Sequence, residues 1–271
     1  MRCNLHLAAV FAVWIGLSAC TTTSVVSSGP VNADLRTSAG TGADKVDLDR
    51  RAAVRMELAG LHYSRGQNET ALEEIKLALQ ARPDLGAAYN LRGLVYAGMG
   101  EPALADESFN RALQLNPRDA DAMHNRGWTL CQRGLFAEAD RLFEQALALP
   151  QYRDAQRSLM AQGVCHARAG RLDEAERRLT RAYELDPSNP TTALNLSEVL
   201  YRRQDYDRAR FYIRRVNQRE DLSNAQTLWL ALRIENRLSN RNGVDDFGRQ
   251  LRNRFPQATE TLAYDRGRLD E

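Results

Sequence analysis

A set of small and aromatic residues recurs every 34 positions, and it limits what this chain can become. Residues 89–117 read YNLRGLVYAGMGEPALADESFNRALQLNP. Gly93 and Ala105 fall where two antiparallel helices approach most closely, and Tyr96 and Phe109 fill the space beside them. Gly100 permits the turn and Pro117 stops the second helix. That is a helical hairpin. A step of 34 from Gly93, Gly100, Ala105, Phe109 and Ala112 lands on Gly127, Gly134, Ala139, Phe143 and Ala146. Upstream the same step gives Ala59, Gly66, Ala71, Ile75 and Ala78, closed by Pro83. After two inserted residues the series resumes as Gly163, Gly170, Ala175, Leu179, Ala182 and Pro187. A weaker copy holds Ser197, Ala209 and Ile213, and a degenerate one covers residues 225–256.

One hairpin leaves apolar surface on both sides, so each unit must be finished by the next. The pattern is that of the tetratricopeptide repeat. It predicts an all-α superhelix of about six hairpins, near residues 52–85, 86–119, 120–153, 156–189, 190–223 and 225–256. No stretch alternates with period two for long enough to form a strand. Val46, Leu48, Ala52, Ala53, Met56, Ala59 and Leu61 form an apolar set with helical spacing, so order is expected from near Val46. The array then runs over 46–256, and residues 257–271 read as a C-terminal tail.

The 271 residues are 43% hydrophobic and 27% charged, with a formal charge of +2. A near-neutral balance argues against a nucleic-acid partner. Only Lys45 and Lys76 are lysines; the remaining cations are arginines mixed with acids, as in Glu174, Glu176, Arg177 and Arg178. That mixture reads as a solvated outer face.

The first residues belong to a different class of sequence. Arg2 is followed by an uncharged apolar run over 7–17, too short to span a bilayer, and then by Leu17-Ser18-Ala19-Cys20. Residues 1–19 read as a signal peptide. The Leu-Ser-Ala-Cys ending resembles the bacterial lipobox, which implies lipidation of Cys20; a plain signal with an incidental cysteine is the alternative. Thr21 rather than Asp in second place is what lipoproteins as a class associate with the outer membrane. Residues 20–45, rich in Ser, Thr, Gly and Ala, read as a flexible tether.

With Cys3 in the signal and Cys20 lipidated, Cys131 and Cys165 remain, one repeat length apart on first helices of adjacent units. In an oxidising compartment an even pair suggests a disulfide, and two small core thiols are the alternative. Catalytic chemistry is not visible. His62, His124 and His166 lack metal-site spacing, and no nucleophile elbow, phosphate loop or paired-carboxylate signature occurs. No enzyme activity, metal or cofactor is therefore expected.

An array of hairpins does offer a trough lined by its first helices. The second, fifth, ninth and twelfth repeat positions should face it, which nominates Met56, Tyr63, Asn90, Leu94, His124 and Trp128 as partner-binding residues. The first two units are apolar there, as suits a bound peptide. Packing of Met56 and Leu94 against a neighbouring helix is the competing reading.

Several segments go beyond the generic repeat. They are residues 124–131 (HNRGWTLC), Pro150-Gln151-Tyr152, Gly163-Val164-Cys165, Leu228-Trp229-Leu230 and residues 251–256 (LRNRFP). Through them the chain resembles the PilF/PilW type IV pilus biogenesis and stability lipoproteins over nearly all of the mature sequence. His124, Arg126 and Thr129 depart from that family's Asn, Tyr and Phe. Cys131 and Cys165 fall on its cysteine positions, which supports the bridge. The resemblance implies a periplasm-facing outer-membrane lipoprotein that binds the pilus secretin subunit and promotes its localisation or multimerisation. A general periplasmic scaffold in envelope assembly would share the anchor and repeats without these segments.

Overall fold

The computed structural model describes residues 34–269, of which 46–269 belong to one compact unit. The signal peptide, Cys20 and most of the tether lie outside the described residues. Among the described residues every regular element is helical. The order is α1 (Asp34–Ser64), α2 (Asn68–Ala81), α3 (Gly86–Gly98), α4 (Pro102–Leu115), α5 (Ala120–Gln132), α6 (Phe136–Leu147) and α7 (Ala155–Arg168). It continues as α8 (Leu172–Leu185), α9 (Pro190–Arg202), α10 (Tyr206–Asn217), α11 (Ala225–Arg237), α12 (Arg241–Arg254) and α13 (Thr259–Asp265). The twelve long helices pair in sequence as the six expected hairpins.

Two boundaries differ from the sequence reading. Helix α1 begins at Asp34, not near Val46. Once a helix is nucleated, each added residue gains one hydrogen bond, and no proline lies between Pro30 and Pro83 to interrupt it. Residues 257–271 are not merely a tail. Helix α13 packs on α11 and α12, its Tyr264 joining Leu228, Leu232 and Leu251 in an apolar cluster. Gly248 makes room for that ring: a Cβ there would lie 2.1 Å from Tyr264 Cζ. Thr261 Oγ1 donates to Phe255 O (2.7 Å) and Arg252 Nε to Asp265 Oδ1 (2.7 Å). The last hairpin thus receives the cap that a one-dimensional array requires.

Inside each hairpin the recurring residues do what their spacing demands. Phe109 and Phe143 are fully buried beneath Gly93 and Gly127, and Leu179 lies beneath Gly163. A Cβ on Gly93 would sit 2.6 Å from the Phe109 ring, so no larger residue fits that crossing. The turn residue shows why the later units look degenerate. Gly66, Gly100, Gly134 and Gly170 have φ of 71–80°, whereas the fifth and sixth turns force Gln204 to 65° and Ser239 to 57°. These two positions carry strain of about 1 kcal/mol each that glycine avoids.

Between hairpins, α3 touches α5, α5 touches α7, α7 touches α9 and α9 touches α11, while each second helix meets the next first helix. The backbones of successive second helices stay apart among the described residues, and only long side chains reach between them. First helices lie closer together than second helices, so they form the inner wall. Part of the arginine chemistry links units and does not merely solvate them. Glu176 accepts from Arg208 Nη1 (2.7 Å) and pairs with Arg203, and Arg178 pairs with Glu144 of the preceding hairpin.

Candidate partner-binding trough

The inner wall combines an apolar first end with a polar middle. Ala53 and Ala87 are exposed, Met56, Gly60, Tyr63, Asn90, Leu94 and Ala97 are half-buried, and Trp128 is half-buried against the Leu130–Phe143 cluster. Met56 and Tyr63 also pack against the cluster of Ala59, Ile75 and Val95, so they serve the core as well as the wall. Ala53, Ala87 and Leu94 are the residues whose apolar surface is left for a guest.

The middle is stitched by side-chain amides. Asn125 Nδ2 donates to Asn90 Oδ1 (3.1 Å), and Arg157 Nη2 donates to Asn125 Oδ1 (2.8 Å). Arg157 Nη1 lies 3.7 Å from Asp121 Oδ1. Burial pushes the Asp121 carboxyl up, and Arg157 opposes that shift. These contacts run α3 to α5 to α7 and hold the first helices in register.

His124 corrects the sequence reading. It was expected on the trough, but it is buried, with Nδ1 2.8 Å from Ser158 Oγ and its ring edge-on to Phe143 at 5.7 Å. Ser158 Oγ is in turn 2.7 Å from Tyr152 OH. The reason is local: Ser158 occupies the third position of the next first helix, where a small residue leaves space for an imidazole. Cys131, at the twelfth position of its unit, is likewise fully buried. The structure joins it to Cys165, with Cα atoms 5.8 Å apart.

Burial, followed by the nearby Arg157 charge, lowers the His124 pKa to about 3. His124 therefore stays neutral in the folded protein while the unfolded chain takes up a proton below pH ~6.5. Stability from this group is complete above that value and is lost progressively as pH falls toward 3. Burial also lowers His166, which adds loss of the same sign. Replacing His124 with Asn is expected to flatten the difference in urea unfolding free energy between pH 7 and pH 5 by up to about 2 kcal/mol. An unchanged pH slope would remove His124 from this role.

A second surface was missed by reading the trough positions alone. At the third and tenth repeat positions, Ala88/Val95, Ala122/Thr129, Ser158/Cys165, Thr192/Val199 and Thr227/Ile234 are all buried under the preceding hairpin. Among the described residues no hairpin precedes the first. Its residues at these positions, Val54 and Leu61, are 51% and 44% exposed. With Leu48, Leu58 and Leu77, Val54 borders a cleft of about 580 Å³ between α1 and α2, edged by Arg50 and Arg51. The signal was in the sequence: a step of 34 back from Ala88 and Val95 gives Val54 and Leu61.

Among the described residues no three His, Cys, Asp or Glu side chains are placed to hold a metal ion. No described helix is long and apolar enough to cross a membrane.

Comparison with known proteins agrees with the architecture. Tetratricopeptide-repeat families match residues 84–151, 125–190 and 166–230. The type IV pilus assembly protein PilF of Pseudomonas aeruginosa is 27% identical over 257 residues, covering 95% of this chain and 96% of that protein. The crystal structure of PilW, described as a widely conserved type IV pilus biogenesis factor, superposes with a TM-score of 0.73 at 27% identity, covering 79% of this chain and 97% of PilW. A Pseudomonas aeruginosa PilF structure superposes at 0.70 and 24% identity, covering 82% of this chain and 99% of that one, which speaks for the fold alone. The chain is a tetratricopeptide-repeat protein, similar over 95% of its length to the type IV pilus assembly protein PilF and over 79% to the pilus biogenesis factor PilW.

Proposed function

We propose that this protein captures a segment of the type IV pilus secretin with its first two hairpins and, tethered to the outer membrane through lipid on Cys20, promotes secretin localisation and multimerisation. The observation that carries the reading is uncovered apolar surface at one end of the array. Ala53, Ala87 and Leu94 supply it on the trough, and Val54 and Leu61 supply it on the unpartnered face of α1. Elsewhere the equivalent third and tenth positions are closed by protein, so exposure here is not a property of the repeat itself. Similarity to proteins described as pilus assembly and biogenesis factors supports the identity of the partner. The lipobox-like segment supports the anchor, and anchoring raises the local concentration of a bound subunit so that modest affinity suffices.

The test is retention of secretin by the purified protein from solubilised outer membranes, with Leu94→Glu and Val54→Glu as variants. Both are expected to lose most of the secretin while keeping the wild-type helical circular dichroism. Met56→Glu is a poorer probe because Met56 also packs on the core. A Cys20→Ala variant is expected to fold, leave the membrane fraction and mislocalise secretin. Undiminished capture by both glutamate variants, or recovery of a different envelope protein in place of secretin, would overturn the proposal.

A further inference from the structure

The outer surface of the fifth hairpin departs from that of the four hairpins before it. Position twenty-two of the repeat is charged and exposed in the first four units, as Glu73, Glu107, Arg141 and Arg177. In the fifth it is Phe211, 52% exposed. A phenyl ring at a site that the fold otherwise gives to water leaves apolar area for which packing offers no reason. The charge of the element is reversed as well. Helix α10 carries Arg208, Arg210, Arg214 and Arg215 against the single carboxylate Asp207, whereas α2, α4, α6 and α8 each hold more acids than bases.

These features meet at a recess of about 800 Å³ between the Pro187–Pro190 turn and α10. Its walls are Pro190, Ala193, Phe211, Val216 and Leu222, and arginines stand at its lip. The arginines are not equivalent. Arg214 is committed to Glu235 (2.7 Å), Arg210 to Asp207 (2.6 Å) and Arg219 to Asp221 (2.8 Å). Arg215 makes no ion pair among the described residues and lies over the Phe211 ring, 5.5 Å from its centroid. An arginine stacked on an exposed aromatic beside an apolar recess is the composition that dominates interface hot spots.

We infer that this recess is a docking site, separate from the trough, for an acidic protein segment bearing one aromatic or branched aliphatic anchor residue. The anchor enters between Pro190 and Phe211, and flanking Asp or Glu side chains reach Arg215 and the outer edge of Arg219. Charge complementarity selects the acidic flanks. A planar anionic membrane fits less well, because the surface is concave and Asp207 and Asp221 stand at its edge. The site does not depend on the secretin reading, since none of its residues lies on the first two hairpins.

The test is fluorescence anisotropy of the purified protein with three labelled nonapeptides: alternating Glu and Asp around a central Phe, the same flanks around Ala, and Lys and Arg flanks around Phe. Binding of the first is expected, with at least tenfold weakening for the other two. Phe211→Glu or Arg215→Glu is expected to weaken the first peptide at least tenfold, and salt raised from about 50 to about 300 mM to weaken it several-fold. Leu94→Glu is expected to leave it unchanged. Phe211→Glu restores the residue type of Glu73 and Glu107, and its thermal transition serves as the control for folding. The inference is overturned by absence of binding of the acidic Phe peptide or by equal binding of the Ala peptide. It is equally overturned by indifference to both substitutions, by binding of phosphatidylglycerol vesicles in place of peptide, or by self-association that Phe211→Glu abolishes.

Discussion

Reduction of the Cys131–Cys165 bond is expected to lower the unfolding free energy by about 3–4 kcal/mol, the chain-entropy value for a loop of one repeat length. The bond joins the first helices of the third and fourth hairpins, and both cysteines are buried among Leu130, Ala139, Phe143 and Ala161. In a one-dimensional array each unit is stabilised only by its neighbours, so a covalent link at the centre couples the two halves. Without it, unfolding should also lose cooperativity. A Cys131→Ala, Cys165→Ala double variant is the cleaner comparison, because alanine keeps a small apolar group at each position. Denaturant unfolding of the native, reduced and double-variant proteins should show the last two falling together, with a broader transition. Equal midpoints in all three, or two reactive thiols in the untreated protein after denaturation, would end this account.

The hairpin fold was legible because Gly93, Ala105 and Phe109 and their counterparts are each required by a contact within one unit. The pattern survives where the contact does. It fades in the last two units because Gln204 and Ser239 accept the positive φ that glycine holds elsewhere. The neighbours of a unit were harder to read. His124 sits at a nominal trough position, yet it turns inward because Ser158, 34 residues later, leaves room for it. Val54 and Leu61 look like ordinary core residues by spacing, and they are exposed because no earlier hairpin covers them among the described residues. Helix α13 was missed because a seven-residue segment has too few turns to show a period, and its Tyr264 is held by a glycine that reads in isolation as a helix defect. For His124, Val54 and Leu61 the missing information lies one repeat away, and for α13 it lies in the preceding helix.

The other large effect is expected at Glu235, which ties the two most degenerate hairpins together. Its carboxylate is fully buried, with Oε1 accepting from Arg214 Nη2 (2.7 Å) and Oε2 from Asn240 Nδ2 (2.8 Å). Arg210 Nη1 stands 3.8 Å from Oε2. One side chain thus engages α10 and the turn before α12 from α11. Gly243 lets α12 approach, since a Cβ there would be 2.9 Å from Glu235 Cγ. Removing the cation by Arg214→Leu leaves a buried charge with a single amide partner, and breaking a pair of this kind costs about 3–5 kcal/mol. Arg210 is near enough to compensate in part, which places the expected loss at the lower end. Adding Glu235→Leu should recover much of that loss, because two apolar residues make no demand for solvation. The double-mutant cycle, read from denaturant midpoints, therefore predicts an Arg214→Leu variant less stable than the double variant. If Arg214→Leu is as stable as wild type, the buried carboxylate is held by Asn240 and Arg210 alone, and Arg214 is not the link between the fifth and sixth hairpins.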